Sequence, residues 1–129
     1  MIRRRVSSAS PYEDIIGFSR AVRVGNSIAV SGTGPIAPDG ATAGVGDAAA
    51  QTRRCLEIIQ AAIEEAGGFL TDVSRTRIYL TDISLWEEVG RVHGEFFRNI
   101  KPAATMIEVT SLVRPEWLVE IEADAIVSD

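Results

Sequence analysis

One cysteine and one histidine are all that 129 residues offer of either type. A lone thiol closes no internal disulfide, and Cys55 with His93 is too small a set for zinc, whose structural sites take four nitrogen or sulfur ligands. No structural metal is expected. Also missing is any apolar run near the ~20 residues that a membrane span requires. The basic opening MIRRRVSSAS is followed by neither an apolar stretch nor a small-residue cleavage site, so it does not read as a secretory signal. A cytoplasmic address without a membrane partner is the expectation. A basic surplus is lacking too: the formal net charge is −5, which argues against nucleic-acid partners because these are met by a basic face. Arg3, Arg4 and Arg5 form the only basic run, and they read as a solvated, partly frayed terminus. No repeat, linker or low-complexity stretch divides the chain. It reads as one domain over residues 1–129, large enough to bury roughly two thirds of its unfolded surface.

What is present is strongly periodic. RAVRV (20–24) and SIAVS (27–31) are strand-like, and Gly25-Asn26 between them suits a two-residue type II′ hairpin. Residues 33–46 hold Gly34, Gly40, Gly44 and Gly46 with Pro35 and Pro38, which predicts a loop folded over a neighbouring surface. From a candidate N-cap at Asp47, the positions Thr52, Cys55, Leu56, Ile59, Ile63 and Ala66 step by three and four. Gly67-Gly68 then supplies the stop of an amphipathic helix. Cys55 lies on that apolar stripe and reads as a buried small hydrophobe rather than a reactive thiol.

SRTRIYLT (74–81) predicts a strand with Ile78 and Leu80 on one side and Arg75, Arg77 and Tyr79 on the other. Ser84 and Glu87 match a capping box, and Leu85, Val89, Val92 and Phe96 continue as a second helix until Lys101-Pro102. His93, beside that stripe, reads as a partly buried, hydrogen-bonded ring, since no Ser, Cys or paired acid is placed to make it a catalytic base. Two strands, ATMIEVTSL and LVEIEADAIV, close the chain across the turn VRPEW. The order β-β-α-β-α-β-β predicts an α+β layer: a mixed sheet of about five strands with two helices on one face.

The last strand carries the functional signal. Val119, Ile121, Ala123 and Ala125 share one face, and Glu120, Glu122 and Asp124 line the other. Such a row is solvated, neutralised by the outward Arg75 and Arg77, or covered by another subunit. In the last case a carboxylate loses solvent, its proton affinity rises, and Glu120 becomes a candidate general acid or base.

The hairpin AVRVGNSIAVSG, the helix DAAAQTRRCLEIIQAAIEEAGG, the strand RIYLTD, the stretch HGEFF and the ending PAATMIEV...LVEIEADAIV resemble the RidA family, also called YjgF, in family order and spacing. The resemblance implies a chorismate-mutase-like α+β fold and a homotrimer with small-molecule sites between subunits. For the best-known branch it implies cofactor-free hydrolysis of enamines and imines derived from amino acids. It places Glu120 on the glutamate that orients the attacking water, and Ser31 and Gly32 in the pocket wall. In that branch an arginine two residues after the motif proline clamps the substrate carboxylate, and here that position is Ala104. The same substrate-binding stretch continues through Thr105 to Met106, where the family has a cysteine. Phe18 stands for the tyrosine that borders the pocket. A pocket so changed is expected to favour imines, enamines or carbonyl compounds without a carboxylate at that end. The competing expectations are a non-catalytic trimer that binds a small metabolite or partner and, more weakly, an endoribonuclease or translation inhibitor.

Overall fold

The long helix forms where its periodicity predicts. In the computed structural model, which describes residues 3–128, α1 spans Ala48–Glu65, and the Asp47 side chain accepts the Ala50 N–H at 3.0 Å as N-cap. Gly67 ends the helix with φ of 90°, a left-handed conformation that suits a residue without Cβ. Thr52, Cys55, Leu56, Ile59 and Ile63 are all buried against the sheet. The second helix, α2, spans Trp86–Phe97 and lies beside α1 on the same face.

Six strands form the sheet, one more than the sequence predicts: β1 (Arg3–Val6), β2 (Ala21–Val24), β3 (Ser27–Thr33), β4 (Val73–Leu80), β5 (Ala103–Glu108) and β6 (Val119–Ile126). Their spatial order is β1-β2-β3-β6-β4-β5. Only β4 and β5 pair in parallel, because α2 carries the chain back to the starting end of the sheet between them. Gly25 takes φ of 60° in the two-residue turn joining β2 to β3, as a type II′ hairpin requires.

The additional strand corrects the reading of a frayed arginine run. Arg3, Arg4 and Arg5 pair antiparallel with Val24, Arg23 and Val22, and Arg4 Nη2 donates to the Glu65 carbonyl at the end of α1. The backbone ladder holds the segment although its side chains remain exposed. The residues called for in the predicted capping box also behave differently. Asp82, not Ser84, accepts the first free N–H, in a short helical turn at Ile83–Leu85 that precedes α2. Within α2, Phe97 rather than Phe96 is fully buried.

Each strand has one face under the helices and one bare. Val119, Ile121, Ala123 and Ala125 of β6, Ile28 and Val30 of β3, and Ile78 and Leu80 of β4 are buried beneath α1 and α2. The glycine-rich loop packs as predicted, against the turn before β6. A Cβ on Gly34 would lie 2.3 Å from the Trp117 ring, and Thr42 Oγ1 accepts from Trp117 Nε1 and Arg114 Nη1 while donating to Glu116. Gln51, fully buried, donates to the Gly44 and Glu116 carbonyls and accepts the Leu118 N–H, so no polar group of that junction is stranded. No helix among the described residues is long and apolar enough to cross a membrane.

Candidate functional site

Glu120, Glu122 and Asp124 all stand on the bare face, as strand alternation requires, but their surroundings differ. Arg77 Nη1 donates to Asp124 Oδ2 at 3.1 Å and lies 3.9 Å from Glu122 Oε1, while Tyr79 donates its hydroxyl to the same Glu122 oxygen at 2.7 Å. Two of the three acids therefore have partners on the neighbouring strand and share one cation, Arg77. Arg75 forms no such pair among the described residues. Glu120 has no ion pair within 4.0 Å among them either, and it is half-buried. Burial raises its proton affinity above the ordinary carboxylate range. The charge of Arg20 opposes that rise and Glu122 adds to it.

The wall beside Glu120 is the Ser31-Gly32 step of β3. A Cβ on Gly32 would sit 2.9 Å from Glu120 Oε2 and 3.2 Å from Cδ, so glycine lets the carboxylate lie where it does, and any larger residue would move it aside. Ser31 donates its hydroxyl to the Ser19 carbonyl at 2.5 Å and its N–H to the Arg20 carbonyl at 2.9 Å. That hydroxyl proton ties β3 to the chain before β2 rather than facing a ligand. Phe18 ends a wide helical turn at Glu13–Gly17, and the Arg20 guanidinium lies 5.9 Å from its ring centroid. Glu13 anchors the preceding segment, accepting from the Ser8 N–H and from the hydroxyls of Ser7 and Ser8. An open concavity of about 940 Å³ spreads over the bare face between this segment and β6. Phe18 and Ser31 line it, with Arg77, Glu122 and Asp124 among the charged groups along its wall.

The structure thus gathers Phe18, Ser31, Gly32 and Glu120 around Arg20, and it does not bring Ala104, Thr105 and Met106 to them. Sheet order puts β4 between β6 and β5, and both β6 and β4 between β3 and β5, which separates β5 from Glu120 by about 10 Å and from the Ser31-Gly32 step by about 14 Å at ~4.8 Å per strand. Register also turns the β5 side chains apart. Ala104 and Met106 pair with Thr76 and Ile78, on the helix-covered face, and Met106 packs on the core close to Gly90. Thr105 shares the bare face with Arg77 but is exposed at the sheet edge.

Arg20, one of two arginines that could replace the one missing at position 104, instead holds the Gly32 carbonyl and Thr33 Oγ1. Arg91, the other arginine considered as a substitute clamp, is exposed on α2 and pairs with Glu87 at 3.7 Å. His93 is half-buried as expected, with Nε2 2.9 Å from Thr76 Oγ1 and its ring against Phe97; burial lowers its proton affinity. Cys55 is buried with its thiol pushed far up by burial, which makes it inert as a nucleophile.

A mixed sheet covered on one face by two helices, with one underneutralised carboxylate on the other, defines the fold class and a candidate acid–base site. The family model described as Endoribonuclease L-PSP matches residues 9–127, and the chain belongs to this family, the RidA/YjgF family. Rv2704 of Mycobacterium tuberculosis, described as a member of the highly conserved YjgF family, has a crystal structure that superposes with a TM-score of 0.88. It is 51% identical, and the match covers 98% of this chain and 100% of that one. A RutC family protein of Pyrococcus abyssi is 40% identical over 108 residues, 84% of each chain. The 3-aminoacrylate deaminase RutC of Acinetobacter baylyi is 38% identical over 105 residues, 81% of this chain and 82% of its own.

Proposed function

We propose that this protein is a cofactor-free deaminase that hydrolyses small reactive enamines or imines, with Glu120 as the acid–base group. The observation that carries the reading is the difference within the acidic row: Glu122 and Asp124 are tied to Tyr79 and Arg77, while Glu120 is half-buried with its proton affinity raised by burial. A carboxylate shifted in that direction holds a proton more readily than its neighbours, as an acid–base group must. Ionised Glu120 takes a proton from water as the oxygen adds to the imine carbon. Glu120 passes that proton to the nitrogen, which gives the neutral carbinolamine, then takes the hydroxyl proton and delivers it to the nitrogen as the C–N bond breaks, leaving the carbonyl compound and ammonia. An enamine enters the same sequence after protonation at carbon. The deaminase named among the relatives supports the reaction class.

The substrate class follows from β5. Ala104 offers no guanidinium, so the favoured substrate lacks a carboxylate at that end. Because one protomer holds Glu120 and β5 apart, the complete pocket takes both from different copies, in the homotrimer that the family resemblance implies. The exposed apolar side chains Ile15 and Ile16 beside Phe18, and Ile107 on β5, support burial at such contacts.

The experiment supplies freshly generated imines with and without a carboxylate, follows ammonia release, and measures mass in solution by sedimentation. The carboxylate-free imine is expected to turn over faster, on a trimer. Faster turnover of the 2-imino acid defeats the substrate assignment, and a stable monomer defeats the shared pocket. Turnover of neither favours a metabolite-binding trimer, the reading that the missing anchor at Ala104 otherwise supports. The ribonuclease activity in the family description is disfavoured by the acidic net charge, and a single-stranded RNA cleavage assay is expected to show none.

A further inference from the structure

We propose that Arg20 is the positioning residue for Glu120: its guanidinium fixes the Ser31–Thr33 step that forms the wall beside the carboxylate, and its charge acts on that acid.

The geometry begins with an interruption in the ladder. Register between β3 and β6 shifts between Val30 and Thr33, where a bulge frees backbone groups from the regular pairing. Arg20 takes them up. Its Nη1 donates to the Gly32 carbonyl at 2.6 Å and to Thr33 Oγ1 at 2.9 Å, with a longer contact of 3.4 Å to the Ser31 carbonyl. Gly32 in turn abuts Glu120 Oε2, so the guanidinium and the carboxylate sit against one residue without forming an ion pair. Arg20 also lies over the Phe18 ring, which links the wall to the pocket border. One nitrogen, Nη1, holds both oxygens of the bulge, and the rigid guanidinium plane fixes the direction of its two hydrogens, which a freely rotating ammonium does not.

The charges around Glu120 are few. Glu122 stands on its own strand. From β4 come Tyr79 and Arg77, both engaged with Glu122 and Asp124. α1 contributes Cys55, neutral in its burial, and the N-terminal segment contributes Glu13, which is held by Ser7 and Ser8 and acts on Arg20. Arg20 is thus the cation that opposes the effect of burial on Glu120.

This inference rests on the acid–base reading of Glu120, and the test separates the two. Side-chain carboxyl carbons are followed by NMR through a pH titration in the wild type, in Arg20→Gln and in Arg20→Lys, with Glu120→Gln to assign the resonance. The pH profile of ammonia release is recorded alongside. Arg20→Gln is expected to move the Glu120 midpoint upward, to carry the acid limb of the rate profile with it, and to lower turnover by about tenfold or more. Arg20→Lys keeps the charge and loses the rigid plane that aims Nη1 at Gly32 and Thr33, so its midpoint stays near that of the wild type while turnover falls. A folded Arg20→Gln with an unmoved Glu120 midpoint overturns the proposal, and so does wild-type turnover in Arg20→Lys, which remains decisive if Arg20→Gln does not fold. If the midpoint moves as expected but Glu120→Gln retains full turnover, the role of Arg20 stands and the acid–base reading of Glu120 falls.

Discussion

The two ends of the candidate site differ in how much of their environment the chain supplies itself. Around Glu120, a bulge, the Arg20 guanidinium, a glycine wall and the Phe18 ring converge from β2, β3 and β6 and their flanking segments. Along β5, Ala103, Ala104 and Thr105 are exposed, small or short side chains on a sheet edge with no partner strand on its outer side among the described residues. An edge strand left bare is a pairing and packing surface that folded proteins seldom leave open. One region draws its surroundings from the protomer itself, and the other is left open at the sheet edge.

The sharpest way to break this comparison is at the Glu120 end. Glu120→Gln preserves shape and removes the proton acceptor, so turnover is expected to fall by about 10²- to 10⁴-fold, measured as ammonia release. Retained turnover would show that the underneutralised acid is incidental. Gly32→Ala comes next. Its methyl meets the flexible end of the Glu120 side chain, which can swing aside, so we expect about a 10- to 100-fold loss of turnover with little change in melting temperature. Gly34→Ala is the contrasting control: there the methyl meets the Trp117 ring, and the expected loss is stability, about 1–3 kcal/mol by denaturant titration.

At the open end, Ala104→Arg is expected to shift selectivity toward carboxylate-bearing imines by at least about tenfold in kcat/KM, about 1.4 kcal/mol. No shift would mean that position 104 does not face substrate. The smallest effects concern pH and stability, and they carry opposite signs. The folded state raises the proton affinity of Glu120, so it binds that proton better than the unfolded chain, and stability from this group declines as pH rises through the shifted value. His93 is shifted the other way. The unfolded chain binds its proton better, so stability falls as pH drops below the ordinary histidine value. Denaturant titrations across pH should show Glu120→Gln flattening the first slope and His93→Gln the second.

Periodic segments were legible because periodicity is a direct consequence of backbone geometry. The stripe from Thr52 to Ala66, the alternation of β4 and β6 and the Gly25-Asn26 turn each have one burial pattern that fits, and each is found. β1 escaped because three consecutive arginines show no alternation, and only the neighbouring β2 makes a strand of them. Ser84 and Glu87 matched a capping pattern that Asp82 fulfils two residues earlier. Within the site, alternation placed Glu120 on the bare face, and the family resemblance pointed to Ser31 and Gly32 beside it. The unequal neutralisation of the acidic row was invisible, because it depends on which β4 residue stands opposite each acid.

By itself the sequence determined the two helices and the faces of the central strands, since each follows from spacing along one segment, while the choice of Glu120 within the acidic row came from the family resemblance. Tertiary structure alone decided that Arg77 and Tyr79 take Glu122 and Asp124, that Arg20 reaches across the bulge to Gly32, and that Ala104 points away from Glu120. These are properties of strand order and register. They join residues up to about fifty positions apart, and no local pattern encodes which of them meet.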